Sequence, residues 1–169
     1  MKNKKYLGFI KKINNQKGIG LVETLIAISL AVVVVTSLIS LAVYALRNSR
    51  QASYTAQATQ IAQNQLELLR AYRDSHTWAQ FTGLSCTATV SATCATAPTG
   101  GCSYPLGGTP DPSSAPTAGA KTDVSPFTYT SFITNTSGTY RAGVAVFWSV
   151  GGKNQCIYNY TDFTNWRGR

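Results

Sequence analysis

The side chains of this 169-residue chain that could carry catalytic chemistry are few and widely spaced. The chain has a single histidine, and most of its acidic residues are isolated aspartates: His76, Asp74, Asp111, Asp123 and Asp162. No glycine-rich phosphate loop and no nucleophile motif accompanies them. The sequence therefore predicts a protein that is not an enzyme, with no catalytic residue, cofactor or metal ion. Calcium binding by Asp111 or Asp123 is left open beside the simpler interpretation of solvated loop acids.

Four cysteines form a second chemical group: Cys86, Cys94, Cys102 and Cys156. An even number in a region rich in Thr, Ser and Gly predicts two disulfides and an exported protein. Zinc binding is the alternative, but zinc sites favour short CxxC pairs with histidine support, whereas the first three cysteines are separated from one another by seven residues. A bond from Cys156 to another cysteine would pin the preceding loop across a sheet, but four cysteines permit three pairings.

The third chemical group is the carboxylate of Glu23, near the start of a long apolar run. From Thr24 to Leu46 the chain has no charge, proline or glycine, which satisfies the requirement of about 20 apolar residues for a membrane-spanning helix. A carboxylate in hydrocarbon costs at least about 2.5 to 3.5 kcal/mol. Such a residue therefore indicates a functional site in which another group pairs with the acid. The alternative is that Glu23 reaches the cytoplasmic interface unpaired.

Positive charge is concentrated before this run. The chain carries a formal charge of +9, and six of its fifteen basic residues are lysines within residues 1–18, which contain no acid. Such a distribution predicts that the N-terminus stays in the cytoplasm, and it argues against nucleic acid as a main partner. A signal peptide cut near Val43 and Ala45 is an alternative, but the apolar run exceeds the typical length of about 7 to 15 residues.

Helical character continues beyond the apolar run. Residues 47–74 contain neither glycine nor proline, and apolar side chains recur with a helical period. The stripe comprises Tyr54, Ala58, Ile61, Gln65, Leu68 and Tyr72, flanked by Ala62, Leu66 and Leu69. We expect one helix from Ile19 to about Asp74, whose second half packs on a sheet of the same chain.

The rest of the chain predicts a loop and then strands. Residues 75–125 are rich in Thr, Ser, Gly and Pro, which predicts a long irregular loop. Residues 126–169 predict an antiparallel meander with strands at Pro126–Asn135, Thr139–Val150 and Asn154–Thr161. In the middle strand, one face is expected to meet the helix through Tyr140, Ala142, Val144, Val146 and Trp148.

The motif QKGIGLVETLIA, at the junction of the basic leader and the apolar run, resembles the processing site of type IV prepilins and pseudopilins. The resemblance implies that a prepilin peptidase cuts after Gly18 and that Ile19 becomes the methylated first residue. It also implies that Glu23, then fifth, pairs with the amino terminus of a neighbouring subunit. The implied partners are other pilin subunits, the peptidase and methyltransferase, an inner-membrane assembly platform and membrane lipid.

The expected protein is thus of α+β class and pilin-like. It comprises a leader (1–18), a membrane or filament-core helix (19–46), an amphipathic continuation (47–74), a variable loop (75–125) and a sheet (126–169). It would be a single-pass protein of the cytoplasmic membrane that later enters an extracellular or periplasmic filament. Ile19 at the first mature position and the lack of a helix proline favour a minor subunit.

Two alternatives remain. One is an exported binding protein that is anchored in the membrane and never polymerises. The other is a pilus subunit that binds DNA through arginines beside aromatic residues: Arg141, Arg167 and Arg169.

Overall fold

A computed structural model of the chain describes residues 19–136 and 138–165. The chain divides into two compact units, Met1–Ser49 and Arg50–Arg169. The described part of the first unit is helical throughout. The second unit combines helix with an antiparallel sheet, so the fold is of α+β class. The predicted leader lies outside the described residues, as do Arg167 and Arg169.

Helix α1 comprises Ile19–Ser75, 57 residues in all. No proline interrupts it, and Gly20 is its single glycine. Every later residue therefore has a side chain and a backbone N–H group, as a stable helix requires. The helix ends one residue beyond the predicted position.

A short second helix, α2 (Trp78–Thr82), follows directly. Its start is a capping box, in which the Thr77 side chain accepts from the Gln80 amide and the Gln80 side chain accepts from the Thr77 amide. The fully buried ring of Phe81 then packs edge-on against Phe163, with 5.0 Å between the ring centroids. Capping and aromatic packing together position α2 against the core.

Within the described residues, the second unit also contains seven strands. Four of them are two residues long: β1 (Ala88–Thr89), β2 (Thr99–Gly100), β3 (Cys102–Ser103) and β4 (Thr117–Ala118). The long strands are β5 (Thr128–Thr136), β6 (Thr139–Val150) and β7 (Lys153–Phe163). Strands β1 and β2 pair with each other, and the other five form an antiparallel sheet in the order β4-β3-β5-β6-β7. Strand β7 therefore lies at one edge of the sheet.

The segment predicted as one irregular loop differs from the prediction. Residues 75–125 contain α2 and four short strands, and β3 and β4 widen the predicted three-stranded meander to five strands. These strands are too short to show an alternating pattern, because two residues carry no period. Tertiary pairing creates them instead: Cys102 lies opposite Ser131 of β5 and Ala118 of β4.

The core lies between the second half of α1 and the sheet. The predicted face of β6 is buried there, with Ala142, Val144, Val146 and Trp148 at most 2% exposed, and Tyr140 packs against the same cluster. The helix contributes Ala58, Ile61, Ala62, Gln65, Leu66, Leu69 and Tyr72, all buried. The prediction that a helical stripe packs on this sheet is therefore confirmed.

Candidate functional site

Glu23 lies one helical turn from the start of α1. It follows Ile19 by four residues, about 6 Å along the helix axis, and its side chain is exposed. Among residues 19–136 and 138–165, no hydrogen bond or ion pair reaches its carboxylate. Gly18, the residue before the predicted cut, lies outside the described residues. A partner for Glu23 must therefore come from outside the described part of the chain.

The serine and threonine hydroxyl groups of the apolar run, by contrast, are satisfied within the helix. Four donate at 2.7 to 2.9 Å to carbonyls three or four residues earlier: Thr24, Ser29, Ser37 and Ser40. The Thr36 hydroxyl donates in the same way to the Val32 carbonyl. Such bonds let hydroxyl side chains enter a hydrocarbon environment without unpaired donors. Glu23 differs from these residues, because its carboxylate accepts no hydrogen bond within the described part of the helix.

The apolar side chains of the same segment are uncovered. The large hydrophobic residues from Leu21 to Leu46 are 43 to 70% exposed, far more contiguous apolar surface than a soluble monomer normally shows. By length and composition α1 is able to cross a membrane, a test that a signal sequence also passes. Its most apolar window is 0% buried, so it is not a core helix of this chain. The described residues of the chain therefore leave this apolar surface open.

The structure joins the four cysteines in two disulfides. Cys86 bonds Cys102 across 16 residues, and Cys94 bonds Cys156 across 62 residues. The first pair is buried, at 3% and 2% exposure, whereas the second pair is half-buried. Because Cys156 belongs to β7, the second disulfide ties the preceding segment to the edge of the sheet.

The two aspartates considered for calcium serve as local acceptors. Asp111 accepts from both the amide and the hydroxyl of Ser113, and the hydroxyl bond holds the pKa of its carboxyl below the ordinary value. Asp123 accepts from the Gly107 amide at 2.8 Å and from the Tyr129 hydroxyl at 2.5 Å. Across the described ranges, no three His, Cys, Asp or Glu side chains come close enough to hold a metal ion.

The remaining predicted polar residues also have structural contacts. The His76 ring stacks on Tyr72 at the end of α1, with 4.0 Å between the ring centroids. Arg141, proposed for the DNA alternative, donates two hydrogen bonds to Asp162, at 2.7 and 3.1 Å. Its guanidinium is therefore already paired with a carboxylate, which reduces its availability to a phosphate.

One buried polar contact has a role that the sequence did not predict. Gln65 is fully buried; its Nε2 donates to the Tyr104 carbonyl at 2.8 Å, and its Oε1 accepts from the Tyr104 amide at 3.0 Å. The amide thereby docks α1 onto the chain just after β3. The available signal was a glutamine within an otherwise apolar stripe, because a buried polar group requires a specific partner.

Comparisons with protein-family models, curated proteins and solved structures find no match for this chain. A functional assignment therefore depends on its own residues and geometry. Of the predicted site residues, the structure brings the cysteines together in pairs and leaves Glu23 alone on an apolar helix.

Proposed function

We propose that this chain is a filament subunit of the type IV pilin or pseudopilin class, and a minor rather than a bulk component. A prepilin peptidase cuts after Gly18, and the new ammonium group of Ile19 is the site of methylation. Before assembly α1 lies in the cytoplasmic membrane with its N-terminus inside. The assembly platform then transfers the subunit into an extracellular or periplasmic filament, where other subunits replace lipid.

The surface of the first half of α1 carries this proposal. Its hydrophobic side chains are exposed from Leu21 to Leu46, and its single acid, Glu23, has no partner within the described residues. The hydrocarbon of a bilayer covers the apolar side chains but offers the acid no cation, at a cost of at least about 2.5 kcal/mol. A neighbouring subunit supplies an apolar helix and an ammonium group together, and pairing recovers part of the cost of burying the charge.

The N-terminus of the mature protein tests the processing step. Mass spectrometry of the chain from its native host should find Ile19 as the first residue, with or without a methyl group. A Gly18→Val variant should remain uncut, because a side chain before the scissile bond hinders approach to the backbone. Gly20→Ala is the matched control and should be cut, since nothing lies within 4 Å of an added methyl group. An intact Met1 or a start near Leu46 would contradict the proposal.

Incorporation into filaments tests the assembly role of Glu23. A Glu23→Gln variant removes the charge but keeps the shape, so it should be processed normally yet fail to enter filaments beside wild-type subunits. Glu67→Gln is the control, because Glu67 is exposed on α1 and pairs with Arg70 of the same helix. Sheared filaments probed with an antibody to the sheet give the readout. If Glu23→Gln incorporates as well as the control, the pairing is wrong; if wild-type protein never enters filaments, the non-polymerising alternative replaces the proposal.

A further inference from the structure

Residues 90–98, here called the flap, lie on the side of the sheet opposite α1. Gln155 and Thr161 of β7 contact α1. Because side chains alternate along a strand, the even-numbered residues of β7 point to the other side. Three of them contact the flap: Asn154, Cys156 and Tyr158. The flap therefore covers the outer side of the edge strand.

The base of the flap is held by main-chain bonds and a buried disulfide. Strands β1 and β2 pair on either side of it, and the Gly101 amide donates to the Thr87 carbonyl at 2.7 Å. The Ile133 amide of β5 donates to the Cys86 carbonyl at 2.9 Å. The Cys86–Cys102 disulfide closes the same base and is shielded from solvent. These contacts do not depend on the position of residues 91–95, which form the tip of the flap.

Among the described residues, only side-chain contacts hold the tip of the flap to β7. The Tyr158 hydroxyl donates to the Ser91 carbonyl at 2.5 Å, and Asn154 Nδ2 donates to the Ala95 carbonyl at 3.0 Å. The third contact is the covalent one, Cys94–Cys156. No main-chain bond joins the tip to β7 within the described ranges. The disulfide is thus the one strong link in an otherwise weak contact.

We propose that Cys94–Cys156 is a reducible latch, which a dithiol opens while Cys86–Cys102 stays intact. Both sulfurs of the latch belong to half-buried residues, whereas both sulfurs of the base belong to buried ones. Thiol–disulfide exchange requires a thiolate to reach a sulfur atom, so access favours the latch. Opening it frees the tip of the flap but leaves the base folded.

The reaction balances with a dithiol as the reductant. One thiolate of the dithiol attacks the Cys94 sulfur, the bond between the two protein sulfurs breaks, and Cys156 leaves as a thiolate that takes up a proton. The second thiol of the reductant then displaces Cys94, which also takes up a proton, and the reductant becomes a disulfide. The Tyr158 hydroxyl oxygen lies 3.4 Å from the Cys156 sulfur, but its single proton is donated to the Ser91 carbonyl, so the leaving thiolate takes its proton from solvent.

Opening the latch changes what β7 presents. This strand is the edge of the sheet, and its outward backbone groups have no neighbouring strand. The flap tip covers outward-pointing side chains of β7, so its release exposes Cys156 and Tyr158 together. The latch thereby couples the redox state of the surroundings to the exposure of Cys156 and Tyr158 on the outer side of the edge strand, independently of whether the chain forms filaments.

Partial reduction of the full-length chain in detergent micelles tests the latch. Dithiothreitol is titrated, free thiols are alkylated with iodoacetamide, and the modified cysteines are mapped by peptide mass spectrometry. Cys94 and Cys156 should be alkylated about tenfold faster than Cys86 and Cys102, because exchange depends on access. Equal rates for the two pairs, or earlier alkylation of the base pair, would overturn the proposal.

Hydrogen exchange then tests whether the flap moves alone. The latch-free variant Cys94→Ser/Cys156→Ser should exchange amides faster in residues 90–98, with β5 and β6 unchanged. The matched control, Cys86→Ser/Cys102→Ser, keeps the latch and should instead loosen the base. Partly reduced wild-type protein provides the same readout if either variant fails to fold. Unchanged exchange in the flap, or faster exchange across the whole sheet, would show that no separate flap exists.

Discussion

A Gln65→Glu variant should convert the buried amide into a pH-dependent defect. Gln65 is a fully buried polar residue of α1, and its side chain bonds both the amide and the carbonyl of Tyr104. A protonated glutamic acid has nearly the same shape and can make both bonds. An ionised one keeps the bond from the Tyr104 amide but places a carboxylate oxygen against the Tyr104 carbonyl.

The magnitude follows from the burial of this position, which is 0% exposed. Burial raises the pKa of a carboxyl group, and each pKa unit corresponds to about 1.4 kcal/mol. Allowing for the Tyr104 amide, which stabilises the charged form, we expect the variant to lose about 3 to 5 kcal/mol at neutral pH. Since the folded pKa is raised, the loss is small below the unfolded value of about 4.3 and grows as pH rises through the folded value.

Urea denaturation of the full-length chain, followed by the fluorescence of its tryptophans, measures this effect. The difference between variant and wild type should be small at pH 4.5 and large at pH 7.5. Gln63→Glu is the matched control, because Gln63 is exposed on the same helix and should change stability by less than about 0.5 kcal/mol at either pH. A Gln65→Glu difference that does not grow with pH would refute the reasoning.

Three further predictions concern the second unit. Burial raises the pKa of Asp123, but hydrogen bonds led by the Tyr129 hydroxyl outweigh it and leave the pKa below its ordinary value. The stability from these bonds is present above about pH 4 and is lost as pH falls, so urea midpoints of Asp123→Asn should fall less than wild type on acidification. Gly101→Ala should destabilise more than Gly119→Ala in thermal melts: both have positive φ, but only Gly101 would place a methyl group 2.4 Å from a backbone oxygen. Gly143→Ala should cost about 1 to 3 kcal/mol by urea denaturation, because its methyl group would lie 2.4 Å from the ring of Phe132; a neutral effect there would show that the ring moves freely.

The elements that the sequence predicts are those with a local physical cause. Helix α1 follows from a 3.6-residue pattern without proline, and β6 follows from the alternation that buries Val144 and Val146. The structure shows both. The order of the sheet has no local cause, because β3 lies beside β5 through contacts between distant segments. The same holds for the cysteine pairing, which depends on where the folded chain brings Cys94 and Cys156.

The candidate site divides in the same way. The sequence marks Glu23 as a lone acid in an apolar run, and the structure adds that its side chain is exposed and that the nearby hydroxyls are satisfied. It does not mark Gln65 as a docking residue, because the partner is a backbone group nearly forty positions later. Side-chain type reveals a need for a partner, whereas folding decides which partner meets it.

The two halves of α1 have different requirements for cover. Between Tyr54 and Tyr72 the buried side chains form one stripe, and the sheet of the same chain covers it. Between Thr24 and Leu46 the helix is apolar all round, so its cover must surround it. Lipid and neighbouring apolar helices both do this, and hydropathy alone does not choose between them. The proposed function distinguishes them at Glu23, because an ion in hydrocarbon is tolerated when a cation lies beside it, and in the proposed filament that cation is the ammonium group of a neighbouring subunit.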